Sequence, residues 1–239
     1  MSLLVPGDQL HCENTDITGA GVYLAPEHIV ENKLIPINAG LEVNQTKNGK
    51  NITLVEYNSK RYTPAVGDYV VGLVSQTYGN YFVVSVANFS STCVLPFMAF
   101  PNASKKNKPK LKTGDLVYAR VSKAHPNLPA ELECMDSSTG AKEGFGLLEE
   151  ENAMVIDISL AFARELLFNV DYPLLPELSK VVEFEVAIGV NGKLWIKTAD
   201  TLSTLACYKI VSEAEHASPA QFHDIIKNNS KMLKKIAST

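Results

Sequence analysis

Short apolar runs broken by turn residues fill the first two thirds of the chain. Residues 21–24, 34–40 and 52–57 each read as strands, with Asn48-Gly49 as the turn ahead of the last. Asn and Gly tolerate the positive φ that a two-residue hairpin loop demands. The same style continues over residues 68–74, 81–86, 116–121 and 130–134. Four or five short strands in roughly 85 residues suit a small closed barrel, of which the OB type is the leading form. Alternation along such strands assigns faces: of the neighbours Tyr81 and Phe82 only one can point inward, and Phe82 is the better core residue.

The last third changes character. Residues 154–158 predict a strand, and Ser159 stands where an N-cap belongs, ahead of an apolar helix over 160–168. Strands over 182–188 and 193–197 follow, then helical patterns over 202–212 and 221–236. This order gives a small α+β domain. The chain as a whole therefore reads as an α+β multidomain protein: an N-terminal β domain (1–60), a β-barrel (61–149) and a C-terminal α+β domain (150–239).

Composition narrows the function. The 239 residues are 46% hydrophobic and 20% charged, which is globular. No apolar run reaches the roughly 18–20 residues of a membrane helix. The opening residues Met1 to Pro6 lack the basic region of a signal peptide. Cys12, Cys93, Cys134 and Cys207 form no C-x-x-C pair, and a chain of this kind suggests a reducing compartment, cytosol or nucleus. With 22 basic and 26 acidic residues the net charge is −4, whereas a stand-alone nucleic-acid binder usually carries a basic excess. Only the middle third is positive, and Lys105, Lys106, Lys108, Lys110 and Lys112 concentrate that charge in one loop.

Catalytic signatures are missing. There is no phosphate-binding G-x-x-x-x-G-K-[ST], no G-x-S-x-G elbow and no H-E-x-x-H. His216 and His223 could share a helix face, but Pro219 lies between them and breaks that helix. Glu149-Glu150-Glu151 reads as a solvated linker, and Glu183 and Glu185 share one polar strand face without a third ligand for a metal. Isolated cysteines are most often small hydrophobes.

Three features remain. The basic loop Phe100 to Lys110 lies between barrel strands, where lysines can hold phosphates as point charges without reading sequence. The barrel aromatics Tyr78, Tyr81, Phe82, Phe89, Phe97 and Phe100 divide between core packing and base stacking. Finally, Gly189-Val190-Asn191-Gly192 joins two apolar strands. Asn191-Gly192 there predicts a two-residue hairpin turn, with Gly189 allowing a neighbouring segment to approach closely. The competing reading, an RNA-clamping G-x-x-G, usually joins two helices.

Together, S-K-R-Y-T-P at 59–64, F-P-N-A-S-K-K-N-K-P at 100–109, G-D-L-V-Y-A-R-V at 114–121 and F-E-V-A-I-G-V-N-G-K-L-W-I-K at 184–197 carry a resemblance. The chain resembles the S1/KH cap subunits of the eukaryotic RNA exosome, over nearly its full length. The resemblance implies an S1 (OB-type) barrel in the middle and a KH domain at the C-terminus. It implies a non-catalytic subunit without metal, cofactor or small-molecule substrate. Its partners would be RNase PH-like ring subunits, the other S1/KH caps, exosome-associated nucleases and single-stranded RNA threaded toward 3'-to-5' decay and rRNA processing. The location would be nucleus, nucleolus included, and cytoplasm, with no membrane association. Lys105, Lys106 and Lys108 are the expected RNA contacts, with Arg120 and Tyr81 beside them. Gly189, Asn191 and Gly192 form the G-x-N-G signature, expected to be structural. Residues 168–173, between the first KH helices, have no G-x-x-G, so RNA clamping by this KH domain is not expected. A free-standing S1/KH RNA-binding factor and an enzyme with an unrecognised site are the alternatives.

Overall fold

The computed structural model describes residues 2–10, 17–18, 21–24, 34–47, 49–57, 61–88, 91–104, 107, 109–125, 127–135 and 144–236. The chain forms two compact units, Met1–Ser59 and Lys60–Thr239.

In the first unit, β1 (Leu3–Leu4), β2 (Ile17–Thr18), β5 (Gly40–Lys47) and β6 (Lys50–Glu56) make a four-stranded sheet in the order β1-β5-β6-β2. Strands β3 (Val22–Leu24) and β4 (Leu34–Pro36) pair separately. The β5–β6 ladder closes on Lys47 opposite Lys50. That leaves the two-residue loop the sequence predicts, although Asn48 itself lies outside the described residues. Leu4, Val22, Leu34 and Val55 form the core.

The second unit begins with a barrel. Its strands are β7 (Tyr69–Thr77), β8 (Tyr81–Ser85), β9 (Cys93–Pro96), β10 (Leu116–His125) and β11 (Leu128–Glu133). Antiparallel ladders join β7 to β8, β8 to β9, β7 to β10 and β10 to β11. A parallel bridge between Glu131 and Val94 closes the ring, so no edge between β9 and β11 is left open. Alternating residues such as Val70, Val74, Phe82, Val84, Leu95, Val117, Ala119 and Leu132 fill the interior. Strand β12 (Gly146–Leu148) extends the sheet beside β10.

The C-terminal α+β part runs β13 (Ala153–Asp157), α1 (Leu160–Phe168), α2 (Leu174–Ser179), β14 (Phe184–Gly189), β15 (Lys193–Thr198), α3 (Thr201–Ala214) and α4 (Phe222–Ile236). Its sheet order is β13-β15-β14, wholly antiparallel. Ser159 caps α1 by accepting from the Phe162 N–H at 3.3 Å. Asp200 does the same for α3 through Ser203 at 2.9 Å. Helix α3 stops at Ala214, and a turn opened by Ser218 and Pro219 precedes α4, so His216 and His223 share no helix. Among the described residues, no helix is long and apolar enough to cross a membrane.

Several elements escape the sequence reading: the very short β1, β2 and β12, most of β5, and also strand β9 and helix α2. Strand β9 is four residues long and gives alternation little room to show. Helix α2 is six residues long and contains Pro176, which is tolerated in the first turn because no intrahelical partner exists there for its missing N–H.

Candidate nucleic-acid interface

The link between barrel and C-terminal domain sets the frame for any surface the barrel presents. Strand β7 outruns β8: their ladder ends at Leu73 opposite Ser85, leaving Tyr69 to Val71 without a β8 partner. The β14–β15 tip fills the gap. Val190 N–H donates to Tyr69 O at 2.8 Å. The Asn191 amide then treats Val71 as a strand would, accepting from its N–H at 3.2 Å and donating to its O at 2.8 Å. The same Nδ2 donates to Val86 O. Asn191 is 5% exposed, and leaving such buried backbone groups unpaired costs about 1–3 kcal/mol each.

The loop that does this differs from the predicted turn. The last ladder pair is Gly189 with Lys193, so the loop holds three residues, Val190 to Gly192. Gly192 alone among them has positive φ, 76°. This is a turn followed by a left-handed residue. The extra residue lets Val190 enter the barrel core while Asn191 reaches β7. Gly189 has no room for a side chain: a Cβ there would lie 2.7 Å from Val71 N and would strike the Asn191 amide.

Around this tip, Val71, Leu148, Ala187 and Trp195 form an apolar cluster. Tyr118 donates its hydroxyl to Ile188 O at 3.1 Å, and burial pushes that phenol up to about 12. Trp195 Nε1 donates to Glu149 O at 3.2 Å, and Lys197 pairs with Glu149, whose carboxyl is lowered by that hydrogen bond. Glu149 is therefore a docking residue as well as a solvated one.

At the β7–β8 turn, Tyr78 and Tyr81 lie stacked with ring centroids 5.1 Å apart, 48% and 37% exposed. Tyr78 also donates its hydroxyl to Gln76 Oε1 at 2.8 Å. Tyr81 faces outward and Phe82 inward, as alternation requires. Phe82 meets Phe97 at 4.5 Å and Phe100 edge-on at 6.3 Å, so those two aromatics are packing residues. They also anchor the start of the basic loop, and buried Leu111 anchors its end. Between the anchors, Ser104 and Asn107 exchange backbone hydrogen bonds of 3.0 and 3.1 Å. Lys105, Lys106 and Lys108 lie outside the described residues, as does Phe89. Lys110 and Lys112 are exposed.

Arg120 sits differently from a free cation. Its guanidinium pairs with Glu133 across β10 and β11, at 2.8 Å from Nε and 2.6 Å from the second nitrogen, both side chains largely covered. Tyr78 is the aromatic that the sequence reading undervalues. Its adjacency to Tyr81 arises from a hairpin turn, and a stacked pair could have been read from Tyr78-Gly79-Asn80-Tyr81 once the turn was recognised.

Cys93, Cys134 and Cys207 are buried thiols outside any disulfide, and burial pushes the Cys93 and Cys207 thiols up to about 11. Cys12 lies outside the described residues. Among the described residues, no three His, Cys, Asp or Glu side chains gather as a metal site. Among the described residues the surface offers a two-ring aromatic platform, and Phe97 N–H donates to Asn80 O at 3.1 Å, tying the segment that leads into the basic loop to the same turn.

Fold and clasp together define a two-part class, a barrel of S1 type joined to a KH domain. Comparison with family models agrees: residues 62–146 match the S1 domain of exosome complex component RRP40, and residues 154–202 match a KH domain. Exosome complex component RRP40 of Saccharomyces cerevisiae is 46% identical over 237 residues, 97% of each chain. The Schizosaccharomyces pombe protein of that name is 32% identical, covering 86% of this chain and 82% of its own. The human one is 31% identical over 72% of this chain and 62% of its own. A crystal structure whose description names an exosome complex RNA-binding protein has a TM-score of 0.57 at 18% identity, over 72% of this chain and 98% of that one, and so shares the fold. The chain belongs to the RRP40 family of exosome complex components.

Proposed function

We propose that this chain is an S1/KH cap subunit of an RNA exosome, one that stabilises a ring of RNase PH-like subunits and guides single-stranded RNA toward the channel. Family membership carries the assembly part of this reading. The stacked, half-exposed Tyr78–Tyr81 pair supports the RNA part. Stacking is tolerant of sequence and lysines hold phosphates, so the pair suits threading rather than selection. Lys105, Lys106, Lys108 and Tyr81 are the RNA contacts in this reading, with Tyr78 added. Arg120, held by Glu133, is given a structural pairing instead.

The subunit itself is non-catalytic in this proposal, needs no cofactor, and works with nucleases supplied by the assembly in RNA decay and rRNA processing. Its place is the nucleus, nucleolus included, and the cytoplasm. The acidic flanks, net −3 for residues 1–60 and net −3 for 150–239, suit protein contacts better than RNA. Three lysine–phosphate contacts would give a single-strand salt slope of about −2, shallow for an independent binder.

Native mass spectrometry of the tagged chain, purified from its own cells at moderate salt, tests this. The expected species is a stoichiometric assembly containing RNase PH-like chains. A lone 26.1 kDa chain carrying RNA would replace the cap reading with a free-standing RNA-binding factor.

A further inference from the structure

Ser104 has no role in the reading above, yet it stands at the head of the basic run. Residues 100–113 hold five lysines and no acid, and Lys105 and Lys106 follow Ser104 directly. The backbone there is drawn into a tight turn. Ser104 N–H donates to Asn107 O at 3.0 Å, and Ser104 O accepts the Asn107 N–H at 3.1 Å. The same Asn107 N–H reaches Ser104 Oγ at 3.0 Å, and Asn107 Nδ2 donates to Asn102 O at 3.2 Å.

The Ser104 side chain is exposed, and its oxygen is an acceptor whose own proton goes to no partner among the described residues. Other serines differ. Ser75 and Ser122 each donate the hydroxyl proton to a strand carbonyl, Val83 O and Glu131 O, at 3.1 Å. Ser203 donates to the Asp200 carboxylate at 2.6 Å. Ser104 therefore combines an accessible, uncommitted hydroxyl with a cluster of cations on its C-terminal side. A Ser/Thr kinase whose substrate groove is acidic recognises that combination, because its carboxylates pair with the lysines while the hydroxyl enters the active site.

The loop can be presented without disturbing the barrel. Phe100 and buried Leu111 pack on the barrel core at its two ends. The hydrogen bonds of the turn between them lie at the surface, where local opening costs little. In the transfer, Ser104 Oγ attacks the γ-phosphorus of ATP. The Oγ–P bond forms as the bond to the bridging oxygen breaks, ADP departs, and the hydroxyl proton passes to the kinase's base. The product adds a charge of about −1.5 to −2. Asn107 N–H, already aimed at Oγ, gains an anionic acceptor and a stronger bond, so the turn keeps its shape. The lysines gain a phosphate of their own chain that competes with those of RNA.

We propose that Ser104 is a phosphorylation site for a kinase that reads lysines C-terminal to its target, and that the phosphate weakens the loop's hold on RNA. The inference rests on the RNA-guiding reading and supplies its regulation.

Two measurements test it. The assembly is purified from its own cells, growing and starved, with phosphatase inhibitors, and peptides covering 100–113 are mapped by tandem mass spectrometry. In parallel, phosphoserine is placed at position 104 by genetic code expansion in the reconstituted assembly, and oligouridylate binding is followed by anisotropy across a salt series. Phosphate on Ser104 is expected in the cells. The salt slope of the phosphoserine assembly should be shallower by about 1–1.4 than that of the unmodified one, and phosphatase treatment should restore it. Ser104→Ala should carry no phosphate in 100–113 and keep the unmodified slope. Absence of phosphate from Ser104 in both growth states would overturn the proposal. So would a phosphoserine assembly with the unmodified slope while Lys105→Glu with Lys106→Glu flattens it, a result that leaves the RNA-guiding reading intact. If neither the phosphate nor the lysine pair alters the slope, the loop's RNA contact falls together with its regulation.

Discussion

The β14–β15 tip and the loop between β9 and β10 are both polar connections in the same compact unit, and they spend their polar atoms in opposite ways. At the tip, the Asn191 amide makes three hydrogen bonds to barrel backbone and is almost fully buried. In the loop, Ser104 and Asn107 bond to each other and to nearby backbone, and Lys110 and Lys112 face solvent. The first arrangement converts polar atoms into rigidity. The second keeps a positive field outside the fold while aromatic and leucine anchors hold its ends. A polar loop is informative about function only once the destination of its donors and acceptors is known.

Changes at the tip should therefore act on stability, and changes at the platform and loop on RNA. The largest effect is expected for Asn191→Leu, which strips partners from Val71 N–H and O and from Val86 O. A loss of about 3 kcal/mol or more should lower Tm by roughly 6–12 °C, read by scanning calorimetry. A variant that melts like the parent would show that the clasp is dispensable. Gly189→Ala comes next, since its Cβ would lie 2.7 Å from Val71 N. Overpacking of this kind costs about 1–3 kcal/mol, measured as a shift in the denaturant midpoint at constant m.

On the other side, Tyr78→Ala with Tyr81→Ala should leave the clasp intact. RNA affinity of the assembly should drop by about 1–3 kcal/mol per lost stack, roughly five- to a hundredfold each in Kd by anisotropy. Lys105→Glu with Lys106→Glu should weaken RNA entry and flatten the salt dependence by about 1.4 without loss of assembly; disassembly would contradict the phosphate-contact reading. The smallest effect concerns pH. Hydrogen bonds from Ser203 hold the Asp200 carboxyl below its ordinary value. Its capping contribution is present above the unfolded-state pKa and disappears as pH falls through the lowered folded value. Asp200→Asn keeps a capping oxygen and should remove this part of the acid limb of a Tm-against-pH curve.

Much of the architecture can be read locally. Ser159 marks a helix start because one oxygen reaches one N–H three residues on. Tyr81 and Phe82 divide by alternation. The Asn191 side chain is different: local pattern identifies a turn, but its amide completes the ladder of a strand 120 residues away, which nothing in residues 184–197 announces. The miscounted loop length has the same origin, since Val190 belongs to the core of another subdomain. Arg120 shows the converse. Its charge is visible in sequence, while its pairing with Glu133 depends on the β10–β11 register.

The separation between Val71 and Asn191 also has a consequence in time. At synthesis rates of about 5–20 residues per second, some 6–24 s pass between the emergence of β7 and that of the residue that finishes it, 120 positions later. Once β10 has paired with one edge of this segment, the newborn barrel still presents Tyr69 O and the Val71 N–H and O on the other edge, with no strand of its own to cover them. An unfinished strand edge invites wrong partners. The C-terminal hairpin thus acts as a built-in latch that arrives late, and a ribosome stalled before residue 189 leaves a barrel that is nearly complete and adhesive.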